Sequence, residues 1–355
     1  MLTYEAEHLE QLDLFGQPVL ENVLGEPVFE VEAEPLESES TITDEVTDFS
    51  LYGYNLFGEP VNPEPRGAVA GRFTLPPFSV LNTTEGFWQE RKRNWLSLGI
   101  RSEVGRDDAL TYQSSEGSFF QSVVQQRGGG TSIFDPVLTE LLYDWFCPRG
   151  GQVVDPFAGG SVRGIVAACL GRSYWGCDLS AAQVAANIEQ GADIVPLNQP
   201  TWVQGNSDLM LECAPDADFI FSCPPYGDLE VYSDDPSDLS NMPYAQMLIS
   251  YESIIRKAVA KLRPNRFACF VVSEFRDPRG HYRGFVPDTI RAFEDAGAHF
   301  YNEAILVNSC GSLPVRITKQ FESGRKMGRR HQNVLVFVKG DSKLATKAVL
   351  DAGAE

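Results

Sequence analysis

The chain has 355 residues, with 49 acidic against 29 basic side chains and a formal net charge of −20. No apolar run approaches a bilayer span and the N-terminus lacks the basic-then-apolar pattern of a signal peptide, so the chain reads as cytoplasmic, with no membrane partner. None of its seven cysteines has Cys-x-x-Cys spacing, which argues against zinc and against disulfides; no metal is expected.

Residues 1–65 hold sixteen acids and no Lys or Arg, so most of the negative charge lies in one tail. Residues 1–66 are Pro-rich and aperiodic, the composition of a disordered segment. A short repeat recurs there as Leu14-Phe15-Gly16-Gln17-Pro18-Val19, Leu24-Gly25-Glu26-Pro27-Val28 and Leu56-Phe57-Gly58-Glu59-Pro60-Val61. Repeated apolar residues in such a tail suit docking peptides. Residues 67–130 form an accessory segment. In it Phe87-Trp88-Gln89-Glu90-Arg91-Lys92-Arg93-Asn94-Trp95 mixes aromatics with cations. That pattern suits either contact with nucleic acid or an amphipathic helix with Trp88 and Trp95 in the core and Arg91, Lys92 and Arg93 solvated. Gln125-Gln126-Arg127-Gly128-Gly129-Gly130 reads as a hinge.

From 131 to 340 strands and helices alternate, which predicts an α/β domain with a doubly wound, mostly parallel sheet; residues 341–355 form a C-terminal tail. Val153-Val154-Asp155-Pro156-Phe157-Ala158-Gly159-Gly160-Ser161 reads as a strand, a glycine turn and a helix from Val162 to Leu170 stopped by Gly171. Gly159 and Gly160 let a ligand approach the backbone, and the helix start supplies free N–H groups. The next strand, Tyr174 to Cys177, ends at Asp178-Leu179. An acid about twenty residues past a glycine turn suits a pair of ribose hydroxyls. Ser180 is placed to cap a helix running to Gln190 and closed by Gly191. A short strand, Trp202 to Gln204, leads to Gly205-Asn206-Ser207-Asp208, where Asp208 can stabilise the turn. The apolar run Ala217 to Phe221 ends in Ser222-Cys223-Pro224-Pro225-Tyr226. Prolines cannot continue a ladder, so the chain leaves the sheet stiffly there, with an aromatic face beside the strand ends where α/β sheets bind ligands.

Further elements are a helix from Tyr244 to Leu262, a buried strand from Phe267 to Ser273, a helix from Pro287 to Ala296, and final strands Ala304 to Asn308 and Val334 to Lys339. A long loop, Ser309 to Gln332, joins the last two. It carries Arg316, Lys319, Arg325, Lys326, Arg329 and Arg330 against one acid, Glu322. A solvated surface is the ordinary reading of such a loop. In an acidic protein it is also the footprint of phosphate binding.

Asp155-Pro-Phe-Ala-Gly-Gly resembles the S-adenosylmethionine loop of amino-methyltransferases, and Cys223-Pro-Pro-Tyr resembles their Asp/Asn/Ser-Pro-Pro-Tyr motif. Thr131-Ser132-Ile133-Phe134-Asp135-Pro136 is similar to the segment that closes over the methionine end of the cofactor. The resemblance runs from about Pro76 to Lys339. It is closest to DNA methylases of bacteriophages and prophages, and implies a place in DNA methylation or restriction-modification. It implies a Rossmann-like class I methyltransferase fold with an antiparallel edge pair, S-adenosylmethionine as cofactor, double-stranded DNA as partner and the exocyclic nitrogen of adenine N6 or cytosine N4 as target. Cofactor contacts are then expected from Phe134, Asp155, Pro156, Phe157, Gly159, Gly160, Asp178, Leu179 and Asp208, and catalysis from Ser222, Cys223, Pro224, Pro225 and Tyr226. Cys223 departs from the family, because a thiol is a weak acceptor for the target amine. A covalent role for it lacks a neighbouring base. Related activities on RNA or protein glutamine, and a non-catalytic DNA-binding module, are the alternatives. Gln11-Leu12-Asp13-Leu14-Phe15 resembles the peptide by which bacterial proteins bind the replication sliding clamp, with a plain packing strip as its rival.

Overall fold

The computed structural model describes residues 20–21, 27–28, 73–101, 134–226, 235–311 and 313–351. The clamp-like peptide, most of the tail repeats, the hinge at 125–130 and Thr131–Ile133 lie outside the described residues. Two units divide the chain, Met1–Thr47 and Asp48–Glu355. In the first, β1 (Leu20–Glu21) and β2 (Pro27–Val28) pair antiparallel.

The second unit is built on one eight-stranded sheet. Its strands are β3 (Val80–Asn82), β4 (Gln152–Asp155), β5 (Ser173–Asp178), β6 (Thr201–Gln204), β7 (Ala217–Ser222), β8 (Leu262–Val272), β9 (His299–Val307) and β10 (His331–Lys339). They lie in the order β3-β9-β10-β8-β7-β4-β5-β6. β4 to β8 are mutually parallel, and β10 runs antiparallel to both β8 and β9. This is the Rossmann-like class I arrangement expected. The antiparallel pair of β9 and β10 is present near one edge, with β10 between β8 and β9, but the short β3 lies parallel against β9 as the outermost strand.

Every residue of β7 is buried, as its unbroken apolar run requires of a strand covered on both faces. Alternation sends its side chains to opposite layers. Phe219 and Phe221 enter a core with α1 (Gly86–Ser97), α2 (Pro136–Phe146), α3 (Val162–Cys169) and α4 (Ala181–Ile194). Ile220 enters a second core with α6 (Tyr244–Lys261) and α7 (Phe285–Asp295), where Ala217, beyond a register irregularity between 217 and 219, also packs. A one-turn helix, α5 (Ser207–Met210), follows β6. The last two helices are α8 (Leu313–Gly324) and α9 (Ser342–Asp351).

Four expectations are corrected. α4 does not stop at Gly191 but runs through it to Ile194. Gly191 is a packing residue, because a Cβ there would meet the Trp202 ring at 2.8 Å. β8 starts at Leu262 rather than Phe267 and contains Pro264. The register slips between Ala217↔Leu262 and Phe219↔Phe267, and a proline is tolerated in such a bulge. The expected loop at 309–332 holds the twelve-residue α8. Arg91 is not solvated: it is 4% exposed and paired bidentately with Glu140.

That last pair shows how the accessory segment is held. Trp88 and Trp95 are buried as expected. Trp95 Nε1 donates to Glu140 at 2.8 Å, and Trp88 Nε1 donates to Asp135 at 3.2 Å. Asp135 also caps α2 by accepting from the N–H groups of Val137 and Leu138. With β3 in the main sheet and α1 in its core, the described part of the segment is continuous with the α/β domain.

At the amino ends of the strands, Asp218 accepts from Gln152 N at 3.0 Å, Arg263 at 2.6 Å and Arg266 at 3.1 Å. Burial pushes its pKa up, but the backbone N–H and the two guanidiniums outweigh burial and hold it below the usual carboxylate value. A carboxyl depressed in the folded state adds stability above its unfolded pKa, and that stability is lost as pH falls through the folded value. Asp218→Asn is therefore expected to flatten the acid limb of the unfolding midpoint between about pH 5 and pH 2. An unchanged slope in a denaturant series across that range refutes the stabilising role of these three bonds to Asp218.

Candidate active site

In the order β5-β4-β7 the chain first winds one way from β4 and then the other, so a crevice opens outside the carboxyl ends of β4 and β7. Three sequence motifs end there: the glycine turn after β4, Asp178 at the end of β5 and the Pro-Pro-Tyr turn after β7. The fold thus brings the expected cofactor and catalytic halves to one edge.

The glycine turn is held from several sides. Gly159 has φ +52°, a conformation that glycine adopts without strain. Its N–H donates to Asp178 Oδ2 at 2.9 Å and its carbonyl accepts from Asn187 Nδ2 at 2.7 Å. Asp178 also accepts from Ser180 N at 2.8 Å, so one half-buried carboxylate joins the turn to the start of α4, where Ser180 is the expected cap. Pro156 is buried, and its carbonyl accepts from Ser207 Oγ. Leu179 is half-buried, its carbonyl accepting from Gln204 at 3.4 Å.

Asp155 does something other than expected. It is 0% exposed, and four protein donors occupy its two oxygens. Ser222 Oγ donates at 2.5 Å and Phe157 N at 3.1 Å to one oxygen; Arg163 Nε donates at 2.6 Å and Tyr174 OH at 2.7 Å to the other. A carboxylate so enclosed has no lone pair left for a ligand, so Asp155 supports the site from beneath rather than touching a cofactor. Ser222, also 0% exposed, is corrected in the same way. Its hydroxyl donates to Asp155 and accepts from Phe157 N at 3.1 Å, which turns it away from any substrate and makes it the strut between the glycine turn and the Pro-Pro-Tyr turn.

Arg163 completes this hub. Beyond Asp155 it donates to the carbonyls of Phe157 at 2.6 Å and Ala158 at 2.9 Å. Its guanidinium lies 4.5 Å from the Phe134 ring centroid, and Phe134 meets Phe221 edge-on at 5.6 Å. Phe134 is thereby packed beside the hub, half-buried. Asp208 is drawn elsewhere: its carboxylate accepts from Ser253 Oγ at 2.6 Å and Lys257 Nζ at 3.0 Å, fastening α5 to α6.

Beyond β7, Pro224 is buried while Cys223, Pro225 and Tyr226 are half-buried. The Cys223 sulfur lies 3.6 Å from the Tyr226 hydroxyl, which accepts from Gln332 Nε2 at 2.6 Å. Gln332 opens β10 and also accepts from Asn308 at 3.3 Å. Sequence reading missed Arg163, Tyr174, Asn187 and Gln332. Arg163 alone left a signal, a single charge in the otherwise apolar Val162–Cys169; the others emerge only from strand and helix pairing.

Gly176 makes the hub possible. A Cβ there would stand 2.6 Å from the Tyr174 hydroxyl and 2.9 Å from the Ala158 Cβ. Gly176→Ala is expected to push Tyr174 off Asp155 and to loosen the glycine turn, costing about 1–3 kcal/mol as overpacking in a tight core. Equilibrium unfolding measures it, and a change below about 0.5 kcal/mol contradicts the packing.

No family model matches the chain, and no curated protein matches its sequence. Solved structures resemble it only distantly. TrmN from Thermus thermophilus is 16% identical over 58% of this chain with a TM-score of 0.40, and the match spans about half of that protein, 49%. The magnesium protoporphyrin IX methyltransferase of Synechocystis, solved with S-adenosylmethionine bound, is 15% identical over 66% of this chain and 98% of its own, with a TM-score of 0.39. A TehB-like methyltransferase from Corynebacterium glutamicum is 17% identical over 62% and 94%, with a TM-score of 0.36. Likenesses this remote say nothing of what the chain acts on. Among the described residues no helix is long and apolar enough to cross a membrane.

Proposed function

We propose that the chain transfers a methyl group from S-adenosylmethionine to the exocyclic amino nitrogen of a DNA base, adenine N6 or cytosine N4. The observation that carries this reading is the meeting, at one switch point, of the Gly159–Gly160 turn, Asp178 and the Cys223-Pro224-Pro225-Tyr226 turn, joined through Ser222 and Asp155. The residues present fit the cofactor. Two half-buried glycines without side chains stand over the start of α3, and a half-buried acid ends the next strand. When bound, the cofactor supplies an electrophilic methyl group.

The chain's own residues do the rest. Asp178 accepts the ribose hydroxyls while keeping the N–H groups of Gly159 and Ser180. The carbonyls of the Pro224–Pro225 turn, aimed by fixed ring torsions, accept hydrogens of the target amine. That bias matters because the lone pair of such an amine is delocalised into its ring. Cys223 replaces the family's stronger acceptor, so the backbone carries this task and positioning supplies most of the rate. Tyr226 stacks on the base, which must leave the duplex because its amine is inaccessible within the helix. The cations grouped after β9 support a polyanionic substrate.

The test is incubation with methyl-labelled cofactor and mixed DNA, RNA and protein, followed by mass spectrometry of the hydrolysed products. N6-methyladenine or N4-methylcytosine in DNA is the expected result. Label in RNA or protein alone, or none, overturns it.

A further inference from the structure

The insertion between β9 and β10 gathers cations that the described ion pairs leave out. Arg91, Arg163, Arg263 and Arg266 are all bonded to carboxylates. Among the described residues, Lys319, Arg325, Lys326, Arg329 and Arg330 are in no ion pair, in a chain of net charge −20. In so acidic a chain, this many cations set against the single acid Glu322 need a reason.

Topology says where they sit. β9 runs parallel to β8, so its carboxyl end and the start of β10 lie at the same edge of the sheet as the Pro-Pro-Tyr turn. The turn after β8 lies at that edge too, with Arg276 stacked 3.9 Å from the centroid of the exposed Tyr282 ring. Its acids are occupied: Glu274 accepts from the N–H groups of Gly284, Phe285 and Val286, and Asp277 accepts from His281 N. Lys326 lies so close to Gly280 that a Cβ there would meet its Nζ at 2.5 Å, which joins the two basic segments. Phe321 and Met327 are exposed among these cations, with Arg325 5.3 Å from the Phe321 ring centroid. The root of the insertion reaches the site itself through Gln332 and Tyr226.

We infer that α8, residues 325–330 and the β8–α7 turn together form a surface that grips the phosphate backbone of a nucleic acid duplex beside the target base. This deepens, and rests on, the methyltransferase reading: it names the elements that hold the polymer while Tyr226 takes the base. A duplex is favoured over a single strand because the aromatic content is low and the cations are spread over two separate elements. Single-strand binding relies instead on successive stacking platforms.

The test is binding of a fluorescent DNA duplex across a salt series. Each cation that neutralises a phosphate adds about 0.9 to the slope of log affinity against log salt. Lys319→Ala/Arg325→Ala/Lys326→Ala is expected to shrink that slope by about 2.7, and each single variant by about 0.9. Lys343→Ala/Lys347→Ala, on α9 beyond the opposite end of β10, is expected to leave it unchanged. An unchanged slope in the triple variant, an equal loss in the α9 variant, no duplex binding at low salt, or tighter binding of single-stranded RNA each overturns the inference. Methyl incorporation measured on the same proteins keeps the two readings apart. Duplex binding with the expected slopes but no methylated DNA base leaves this surface standing and removes the proposed activity. Methylated DNA with unchanged slopes does the reverse.

Discussion

Replacing Asp155 by Ala is expected to cost about 3–5 kcal/mol of stability, the usual consequence of removing one partner from a buried ion pair. Arg163 is 4% exposed and would keep its charge with no carboxylate beside it, and Ser222 Oγ, Phe157 N and Tyr174 OH would each lose an acceptor. Against a typical stability of about 5–15 kcal/mol this is a large fraction. Chemical unfolding measures the loss, and a change below about 1 kcal/mol contradicts the hub. The double variant Asp155→Ala/Arg163→Met separates charge from packing. With no orphaned guanidinium left it is expected to recover much of the loss, because an apolar replacement for a buried pair is often tolerated. Losses that simply add show that Asp155 and Arg163 act independently.

Tyr226→Ala is expected to lower kcat/KM for a DNA substrate by roughly ten- to a hundredfold, the size of about 1–3 kcal/mol of base stacking. Binding of S-adenosylmethionine, measured by calorimetry, should move less than about twofold, since the residues assigned to the cofactor lie at β4 and β5. Tyr226→Phe keeps the ring but loses the bond from Gln332 and the contact with the Cys223 sulfur, so its effect should be smaller than that of Tyr226→Ala, with Gln332→Ala reproducing the part that Gln332 carries. A Tyr226→Ala variant with full turnover removes the stacking role. One that loses cofactor affinity and activity together shows instead that the ring supports the cofactor half.

Much of this site was legible because its parts are punctuated by residues with backbone consequences. Gly159 stands where φ is positive, Pro224 and Pro225 stop a strand, Ser180 caps a helix and Asp178 ends a strand at a set distance from the glycine turn. These are local effects, readable from a few neighbouring residues. The roles of the polar side chains were less legible. Asp155 and Ser222 occupy motif positions that suggest contact with ligand, yet they bond to each other across 67 positions of sequence. Which way a carboxylate points depends on the donors that other strands deliver, and Arg163 and Tyr174 come from α3 and β5.

By itself the sequence determined an alternating α/β fold, the edge of the sheet at which the proposed site lies, and the grouping of cations between the last two strands. The physical reason is that periodicity, prolines and glycines act through short-range sterics, and charge is simply counted. Only the tertiary structure decided that Asp155, Arg163, Tyr174 and Ser222 form one buried hub, that Arg91 belongs to the core, that a helix fills the expected loop and that Gln332 holds Tyr226. Each depends on strand order and register, which bring together groups far apart in the chain, and burial then makes an unpaired polar atom too costly to leave.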